Sequence, residues 1–288
     1  MSAKPIVAAT DGSEESLRAV TWAAREAVLR GAPLRIIAAA ALLPRMIGNE
    51  GTSTYATVSD VIRTNAGRAL AAAAERAAKA APDLLIDTDE VEGSPDDAVT
   101  EAANGALMLV VGSRGEGAFA ALVLGSVSRY AATHASSPVV VVRDAAESAH
   151  RQVGVGVGHL EHAAASLTFA FEEAALRKAS VVAVHAWSMP DSDISRAGAL
   201  FAAPGVHVVE QKATAAMEEL LNEWRGKYPD VPVSKDIVHG HPGRALAGLS
   251  ARTDLVVLGR HAAHHSAGSV MHAVLSHAHG PVATVPSP

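Results

Sequence analysis

The chain contains its own pattern twice, and this internal duplication limits the fold more than any other feature of the sequence. Residues of the first half align with residues of the second at an offset of 147 positions, which falls to 143 after Gly112. The aligned pairs are Trp22–Ala27 with Phe169–Ala174, Gly93-Ser94-Pro95 with Gly240-His241-Pro242, Leu109–Gly112 with Val256–Gly259, and Gly125-Ser126-Val127 with Gly268-Ser269-Val270. The second copy therefore lacks four residues at one place, and the chain predicts two domains of one fold.

Each copy alternates apolar runs with helical segments, which indicates a parallel sheet covered on both faces. The predicted strands of the first copy are Pro5–Thr10, Leu34–Leu42, Leu84–Glu92, Leu107–Gly112 and Val139–Arg143. Those of the second copy are Val153–Val157, Val181–Trp187, Val233–His239, Leu255–Gly259 and Val282–Val285. We expect an α/β fold of two tandem Rossmann-like domains, each a five-stranded parallel sheet core with helices on both faces. The domains are predicted over residues 1–144 and 151–288, joined by the polar stretch Asp144–Arg151.

Helix ends in the first copy carry recognisable signals. Ser13 is placed to cap a helix that runs to about Arg30 and ends at Gly31, with two glutamates in its first turn. Further helices are predicted over about Ala56–Ala80, Pro95–Asn104 and Gly125–Ala135, and a long loop over Pro44–Thr54.

Composition excludes several classes of function. The chain has no Cys, so disulfides and thiolate chemistry are absent and a reducing compartment fits. A net charge of −6 and 3% aromatic residues are unlike a nucleic-acid surface. No run of about 18 apolar residues and no apolar leader is found. We expect a soluble cytoplasmic protein that binds neither nucleic acid nor membrane.

Two groups of residues in the first copy follow strands whose carboxyl ends meet at one edge of the sheet, where open α/β sheets bind ligands. One group is Thr10–Ser13. Asp11 in this group is either an acceptor for ribose hydroxyls or a turn and cap residue. The other group is Gly112–Gly115, followed after nine residues by Gly125–Ser128.

The second group is typical of a phosphate-binding loop, although a Gly-x-x-Gly pair alone serves equally well as turn glycines. Gly112 and Gly115 permit positive φ and close approach of an anion to the backbone. Gly125-Ser126 opens a helix whose first amides favour an anion. Ser126 and Ser128 offer hydroxyls to a phosphate or a metal ion, and Arg114 either screens phosphate charge or is a solvated surface residue. The combination on one edge favours a nucleotide site.

These residues resemble the universal stress protein family, in the tandem-domain form found in actinobacteria. The family's ATP-binding signature, Gly-x2-Gly-x9-Gly-Ser/Thr, is matched with full spacing by Gly112, Gly115, Gly125 and Ser126. The segment Ile6–Ser13 is similar to the family's opening strand with its nucleotide-contacting Asp. The resemblance covers essentially the whole chain and implies a fold of the adenine nucleotide alpha hydrolase type.

The resemblance also implies where the nucleotide lies. Adenine is expected near the second strand against the backbone of Ala39, with the ribose at Asp11. The full set of expected contacts is Ala9, Thr10, Asp11, Ala39, Gly112, Arg114, Gly115, Gly125, Ser126, Val127 and Ser128. Magnesium is expected only with ATP, through the phosphates and, as one option, Ser126. The family associates through its last strands, here Val139–Arg143 and Val282–Val285, which implies an intramolecular pseudo-dimer and a homodimer of chains.

The second copy departs from the signature. Gly158 stands in place of Asp11, Ala262 in place of Gly115, and the loop from Gly259 to Gly268 is four residues shorter. We predict that this copy binds ATP poorly or not at all and serves as a scaffold and partner surface. Gly268-Ser269 is still expected to open a helix that is able to hold a lone phosphate.

Histidines are concentrated in the second copy, at His261, His264, His265, His272, His277 and His279. The alternatives are a metal or pH-responsive site and solvated loop residues, and the absence of an interleaved Cys or carboxylate favours solvation. His239-Gly240-His241 is similar to the HxGH motif of nucleotidyl transferases but follows a third strand instead of a first. His185 is expected to be a hydrogen-bonded core histidine.

No Walker A motif, Gly-x-Ser-x-Gly elbow or nucleophile–base pair is found in the sequence. The leading hypothesis is a non-enzymatic, ATP-binding regulator of stress or growth, in which nucleotide changes the dimer or a partner surface. One alternative is a slow ATPase or phosphotransferase at the same pocket, with Glu14 or Glu15 orienting a water molecule. The other is an interaction protein that binds no nucleotide.

Overall fold

The computed structural model describes residues 3–41, 52–115, 124–143, 149–187, 204–260 and 265–287, and for residues 52–57, 204–207 and 265–268 it describes the backbone alone. The chain divides into two compact units, Met1–Ala145 and Ala146–Pro288. Three of the sequence-based predictions fall outside the described residues. They concern most of the loop over Pro44–Thr54, the first five residues of the linker (144–148), and the histidines His261 and His264.

The first unit is built on five parallel strands in the order β3-β2-β1-β4-β5. The strands are β1 (Ile6–Ala9), β2 (Leu34–Ala40), β3 (Ile86–Glu92), β4 (Met108–Gly112) and β5 (Val139–Val142), and the helices are α1 (Glu14–Arg30), α2 (Thr52–Ala80), α3 (Pro95–Ala103) and α4 (Ser126–His134). Chain order reverses direction at β1, which lies between β2 and β4. A crevice at such a switch point is the usual ligand site of an open parallel sheet.

The second unit repeats this order, as β8-β7-β6-β9-β10. Its strands are β6 (Gln152–Gly156), β7 (Ser180–Trp187), β8 (Val233–His239), β9 (Leu255–Arg260) and β10 (Val282–Pro286), and its helices are α5 (Ala164–Arg177), α6 (Pro204–Lys227), α7 (Pro242–Leu249) and α8 (His265–His277). A short 3₁₀ turn, Leu160–His162, precedes α5. The predicted α/β class, with a five-stranded parallel sheet in each unit, is confirmed.

Both faces of each sheet are covered by helices. In β4 and β5 every residue is buried, and because successive strand side chains point to opposite faces, both faces must be covered. In the first unit α1 packs against β1, β4 and α2, whereas α3 and α4 pack against each other. In the second unit α5 meets α6 through the stacked rings of Phe171 and Trp224, whose centroids lie 5.7 Å apart.

The ends of α1 are those that the sequence predicts. The Ser13 hydroxyl accepts a hydrogen bond from the Ser16 amide at 3.3 Å, and Gly31 closes the helix in the left-handed conformation with φ 60°. In the second copy Lys178 occupies the same left-handed position after α5, with φ 52°. Duplication has kept this helix end although the residue has changed.

The start of α2 differs from its prediction. The helix begins at Thr52 and not at Ala56, so the loop predicted to continue to Thr54 is shorter. Ser and Thr favour loops but are also common around helix starts, where a weak helix former costs little stability. The Ser and Thr residues before Ala56 therefore belong to the first turn of α2 and not to the loop. None of the helices in the described part of the chain, α2 included, has the length and hydropathy needed to span a membrane.

Candidate functional site

The two predicted groups of residues meet at the carboxyl ends of β1 and β4. Thr10 and Asp11 directly follow β1, and Ser113 to Gly115 directly follow β4. These strands are adjacent in the sheet, with Ala8 paired to Val110. The candidate site of the first unit therefore lies in the crevice at the switch point.

The turn after β1 is held by its own side chains. Thr10 is buried, and its hydroxyl accepts a hydrogen bond from the Gly12 amide at 3.1 Å. The same hydroxyl lies 2.9 Å from the Ser16 hydroxyl on α1. Gly12 has a φ of 88°, which a residue with a side chain rarely adopts. The turn thus holds Asp11 at a defined place above the strand. The sequence did not reveal the role of the Thr10 hydroxyl.

Asp11 joins the two groups. Its Oδ1 accepts hydrogen bonds from the Ser13 amide at 3.0 Å and the Ser13 hydroxyl at 2.6 Å, which is the cap-turn role that the sequence offered as one interpretation. Its Oδ2 lies directly against Gly115, where a Cβ atom would overlap it. Asp11 as a whole residue is exposed to solvent. Asp11 therefore has room at Gly115 only because that residue lacks a side chain.

Gly112 serves a different purpose from the one predicted. A Cβ atom on Gly112 would lie 2.9 Å from backbone atoms of Glu15 and Ser16 in the first turn of α1. Neither Gly112 nor Gly115 has a φ in the left-handed region, and Gly125 has a φ of −69°. The positive φ that glycine permits is therefore not used here. Gly112 lets α1 start close to β4.

The start of α4 closes the signature loop. The Gly125 amide donates to the Ser113 carbonyl at 2.8 Å, which brings the two ends of the nine-residue spacer together. Residues 116–123 of that spacer lie outside the described residues. Gly125 is the N-cap of α4 and provides no side-chain cap. The first amides of α4 thus lack the usual capping partner and lie beside the end of β4.

The two serines of α4 have different environments. Ser126 is exposed at the first position of the helix. Ser128 is buried, and its hydroxyl donates to the Gly112 carbonyl at 2.5 Å. Val127 between them is half-buried. The Ser128 proton is therefore used to fasten α4 to the end of β4, while the Ser126 hydroxyl faces solvent.

Charged residues of α1 and α2 border the crevice. Oε1 of Glu15 lies 3.6 Å from Nη2 of Arg114 and 3.5 Å from Nη2 of Arg18. Glu14 receives two hydrogen bonds from Arg76 on α2, at 3.0 and 3.1 Å, and these bonds lower its pKa. Both glutamates are therefore engaged by arginines. Arg76 was missed by the sequence analysis because no local pattern connects residues so far apart in the chain.

The residues predicted to contact adenine lie on β1 and β2. Ala9 ends β1 and is paired with Ile37, whose carbonyl accepts from the Thr10 amide at 2.9 Å. Ala39 follows two residues later on β2, where it is half-buried and paired with Val91 of β3. The structure thus places Ala39 on the strand next to the one that carries Asp11, on the same edge of the sheet.

The equivalent edge of the second unit is built differently. Helix α8 begins at His265, so Gly268 is its fourth residue and Ser269 its fifth. The prediction that Gly268-Ser269 opens a helix is therefore wrong, because the amide of Ser269 already lies within the helical hydrogen-bond pattern. The shortened connection after β9 has been replaced partly by an earlier helix start.

Three histidines of the second unit have structural partners. Nδ1 of His185 lies 2.8 Å from the Val157 carbonyl, so the expected hydrogen bond is present, but the residue is half-buried and not in the core as predicted. His241 is the N-cap of α7 and accepts from the Gly243 amide at 3.1 Å, and His239 packs on Trp187. Within the ranges that the structure describes, no three His, Asp or Glu side chains are grouped to hold a metal ion. The side chain of His265 is not described.

Comparison with known proteins identifies the family. The universal stress protein family model matches residues 2–143 and again residues 150–286. Universal stress protein Rv2005c of Mycobacterium tuberculosis is 35% identical over 299 aligned positions, which cover 96% of this chain and 95% of that protein. A universal stress protein of Mycolicibacterium smegmatis is 32% identical over 266 positions, covering 89% of this chain and 86% of that protein.

A solved structure shows the same fold over the whole chain. The universal stress protein of Archaeoglobus fulgidus superposes with a TM-score of 0.69 over 99% of this chain and 97% of that one, at 18% sequence identity. The tandem match of the family model agrees with the duplicated strand order of the two units. The chain therefore belongs to the universal stress protein family and carries two tandem copies of its domain.

Proposed function

We propose that the first unit binds ATP and that the chain acts as a nucleotide-dependent regulator in stress or growth control, without a catalytic role of its own. The observation that carries the proposal is the meeting of Asp11 and Gly115 beside the start of α4, whose N-cap provides no side-chain cap. An exposed carboxylate and a set of helix amides are the groups that a ribose and a polyphosphate need.

The residues present fit the nucleotide. The amides at Ser126 and Val127 would hold the phosphates, with the exposed Ser126 hydroxyl as a further donor or as a ligand of the magnesium ion that accompanies ATP. Asp11 would accept from the ribose, and the backbones of Ala9, Thr10 and Ala39 would border the adenine. Magnesium supplies positive charge to the phosphates when it is bound.

The electrostatics of the crevice border also support this proposal. A triphosphate next to bare carboxylates would be repelled, and Glu14 and Glu15 both lie near the crevice. Each is paired with arginine, Glu14 with Arg76 and Glu15 with Arg18 and Arg114. The side chain of Arg114 is 40% exposed, so it has room to shift from Glu15 towards a phosphate.

Binding without turnover is favoured by the same ion pairs. A general base must be available to a water molecule near the γ-phosphate. The two glutamates considered for that role are engaged by arginines, and the pKa of Glu14 is lowered by Arg76, which makes it a weaker base. Single-turnover incubation with ATP and magnesium separates the alternatives, because stoichiometric conversion to ADP would establish a slow ATPase.

Isothermal titration with ATP and magnesium tests the binding site. We expect one site per chain, and Asp11→Ala to weaken binding about 10- to 100-fold, since a hydrogen bond to a charged acceptor contributes about 1.5–3 kcal/mol. Gly115→Ala should act similarly, because the new methyl group displaces the Asp11 carboxylate. Gly67→Ala on the exposed face of α2, with nothing within 4 Å of its Cβ, is the matched control. Unchanged affinity in both site variants would contradict the assignment.

The regulatory part of the proposal concerns assembly. The association of the two copies through their last strands and of two chains into a homodimer stays a prediction, and we place the protein's action in the cytoplasm, which a chain without Cys fits. Sedimentation velocity with and without ATP measures whether nucleotide changes the assembly state. The same measurement on Asp11→Ala shows whether any change depends on the first crevice.

A further inference from the structure

The second unit contains a cavity of about 250 Å³ at the carboxyl ends of β6 and β9, the position that the nucleotide crevice has in the first unit. Its wall is mainly aliphatic. The apolar side chains that form most of it are Val157, Val184, Leu246, Leu258, Val270 and Met271. Such a cavity, at the switch point of a parallel sheet, is a site for a ligand.

The wall residues correspond to polar residues of the first copy. Val157 stands in place of Thr10, and Gly158 in place of Asp11. Ala163 replaces Ser16, whose hydroxyl helps to hold the first turn. Met271 replaces Ser128, which is bonded to the backbone of β4 in the first unit. The second copy has therefore exchanged hydroxyl and carboxylate groups for apolar or missing side chains at four places in one crevice.

The polar atoms that remain in the wall are largely used within the protein. The Val157 amide donates to the Val184 carbonyl at 2.8 Å, and the Val157 carbonyl lies 2.8 Å from Nδ1 of His185. Ser166 is 1% exposed, and its hydroxyl donates to the Ala163 carbonyl at 3.0 Å. A polar ligand inside the cavity would find few partners and would lose its hydration.

The opening of the cavity carries two imidazoles. His159 and His162 are exposed, with ring centroids 6.4 Å apart, and Gly158 beside them leaves open space where Asp11 stands in the first copy. In the described part of the chain, the amides of Ser269 and Val270, which correspond to the first amides of α4, lie inside α8, because that helix begins at His265. Among its described lining residues the cavity thus has neither a carboxylate in place of Asp11 nor a helix start at Ser269.

We infer that the second crevice binds a small uncharged apolar molecule of one or two rings, at a site separate from the ATP site. A cavity of about 150 Å³ lined by aliphatic side chains stays dry and takes up benzene, so the larger cavity here suits a bicyclic compound. Burial of its apolar surface, at about 25 cal/mol per Å², drives binding. This inference goes beyond the proposed function and does not depend on ATP binding.

Calorimetric titration of the full chain with indole tests the inference. The parent protein is expected to bind one indole. Ala186→Phe, which places a ring in the cavity, should weaken binding at least tenfold. Gly158→Asp, which returns a carboxylate to the exposed opening, should weaken it several-fold without disturbing the fold. Gly248→Asp on the exposed side of α7, also with open space around it, should bind like the parent.

Three results would overturn the inference. The first is the absence of indole binding by the parent, and the second is equal indole binding by the parent, Ala186→Phe and Gly158→Asp. The third comes from titrating ATP into the Asp11→Ala variant that already holds indole, where displacement of indole by ATP would make the second crevice a nucleotide site. Failure of ATP to bind the parent contradicts only the proposed function, since the indole titrations are read without nucleotide.

Discussion

The crevices of the two units occupy the same place in the same fold and differ in the few side chains that set their polarity. In the first, Thr10, Asp11 and Ser128 supply hydroxyl and carboxylate groups, and α4 begins at the crevice. In the second, Val157 and Met271 form an apolar wall. The strand order therefore determines where a ligand site lies, whereas a few side chains and one helix start determine its chemistry.

One buried ion pair away from the crevices is kept in both copies. Each copy keeps a fully buried glutamate on its first helix, Glu26 and Glu173, paired with an arginine one turn later, Arg30 and Arg177. Removing one partner of a buried ion pair is costly, which opposes substitution at these positions.

The largest expected effect is the loss of stability when a methyl group is added to a glycine of each crevice. The Cβ of Gly112→Ala would lie 2.9 Å from backbone atoms of α1, which cannot move alone, and overpacking of this kind costs about 1–3 kcal/mol. In the second unit the Cβ of Gly156→Ala would meet the end of the flexible Leu246 side chain, so a much smaller loss is expected. Hydrogen exchange measured separately in peptides of each unit reports both changes.

Gly67→Ala is the control for this comparison. Its Cβ meets nothing within 4 Å, and Ala is the better helix former by about 1 kcal/mol, so α2 should be protected more strongly. Equal losses from Gly112→Ala and Gly156→Ala would mean that the close start of α1 against β4 is not what requires glycine in the first unit.

The second effect concerns the contact between Asp11 and Gly115, which the second copy lacks. If Gly115→Ala weakens ATP binding by displacing Asp11, the double variant with Asp11→Ala should bind no worse than either single variant. The coupling free energy would then equal the loss from one substitution, about 1.5–3 kcal/mol. Titration of the four proteins completes the cycle. Additive losses would show that Gly115 contacts the nucleotide independently of Asp11.

Local signals in the sequence predicted most of the scaffold. The apolar runs of β1 and β4 and the caps Ser13 and Gly31 depend on neighbouring residues only, so period and capping rules suffice. The repeat extended these predictions to the second copy. The predicted parallel sheet placed Asp11 and the glycine signature at one edge, because parallel strands have their carboxyl ends together.

The features that the sequence did not reveal depend on tertiary packing. The reason for glycine at position 112 is the backbone of α1, which no local pattern predicts. The bond between Glu14 and Arg76 joins two helices far apart in the chain. No cap signal in the sequence marks the early start of α8 at His265, and the apolar cavity becomes evident only when Val157 and Met271 are seen on one wall.

A third effect tests how far the copies are interchangeable outside the crevices. Gly31 and Lys178 both end the first helix of their unit in the left-handed conformation, at φ 60° and 52°. A residue with a Cβ is strained there by about 1–2 kcal/mol, partly offset because glycine is more flexible when unfolded. Lys178→Gly should therefore stabilise the second unit by roughly 0.5–1 kcal/mol, and Gly31→Lys should destabilise the first by a similar amount. Hydrogen exchange measures the stability of α1 and α5 in the two variants. A change in the same direction for both would contradict the expected opposite effects.

The smallest effect concerns a surface ion pair that the second copy cannot form, since Glu223 stands in place of Arg76. Hydrogen bonds from Arg76 lower the pKa of Glu14 from 4.5, so the pair stabilises the first unit above that pH and the contribution is lost as pH falls through the lowered pKa. Because both side chains are more than one third exposed, Glu14→Gln should cost about 0.5 kcal/mol or less at pH 7. The loss should disappear in 1 M salt, and in the Arg76→Gln background. Urea denaturation measures the free energy of unfolding of these variants. If Glu14→Gln lowers it equally in 1 M salt or in the Arg76→Gln background, the effect of Glu14 comes from the dipole of α1 and not from its bond with Arg76.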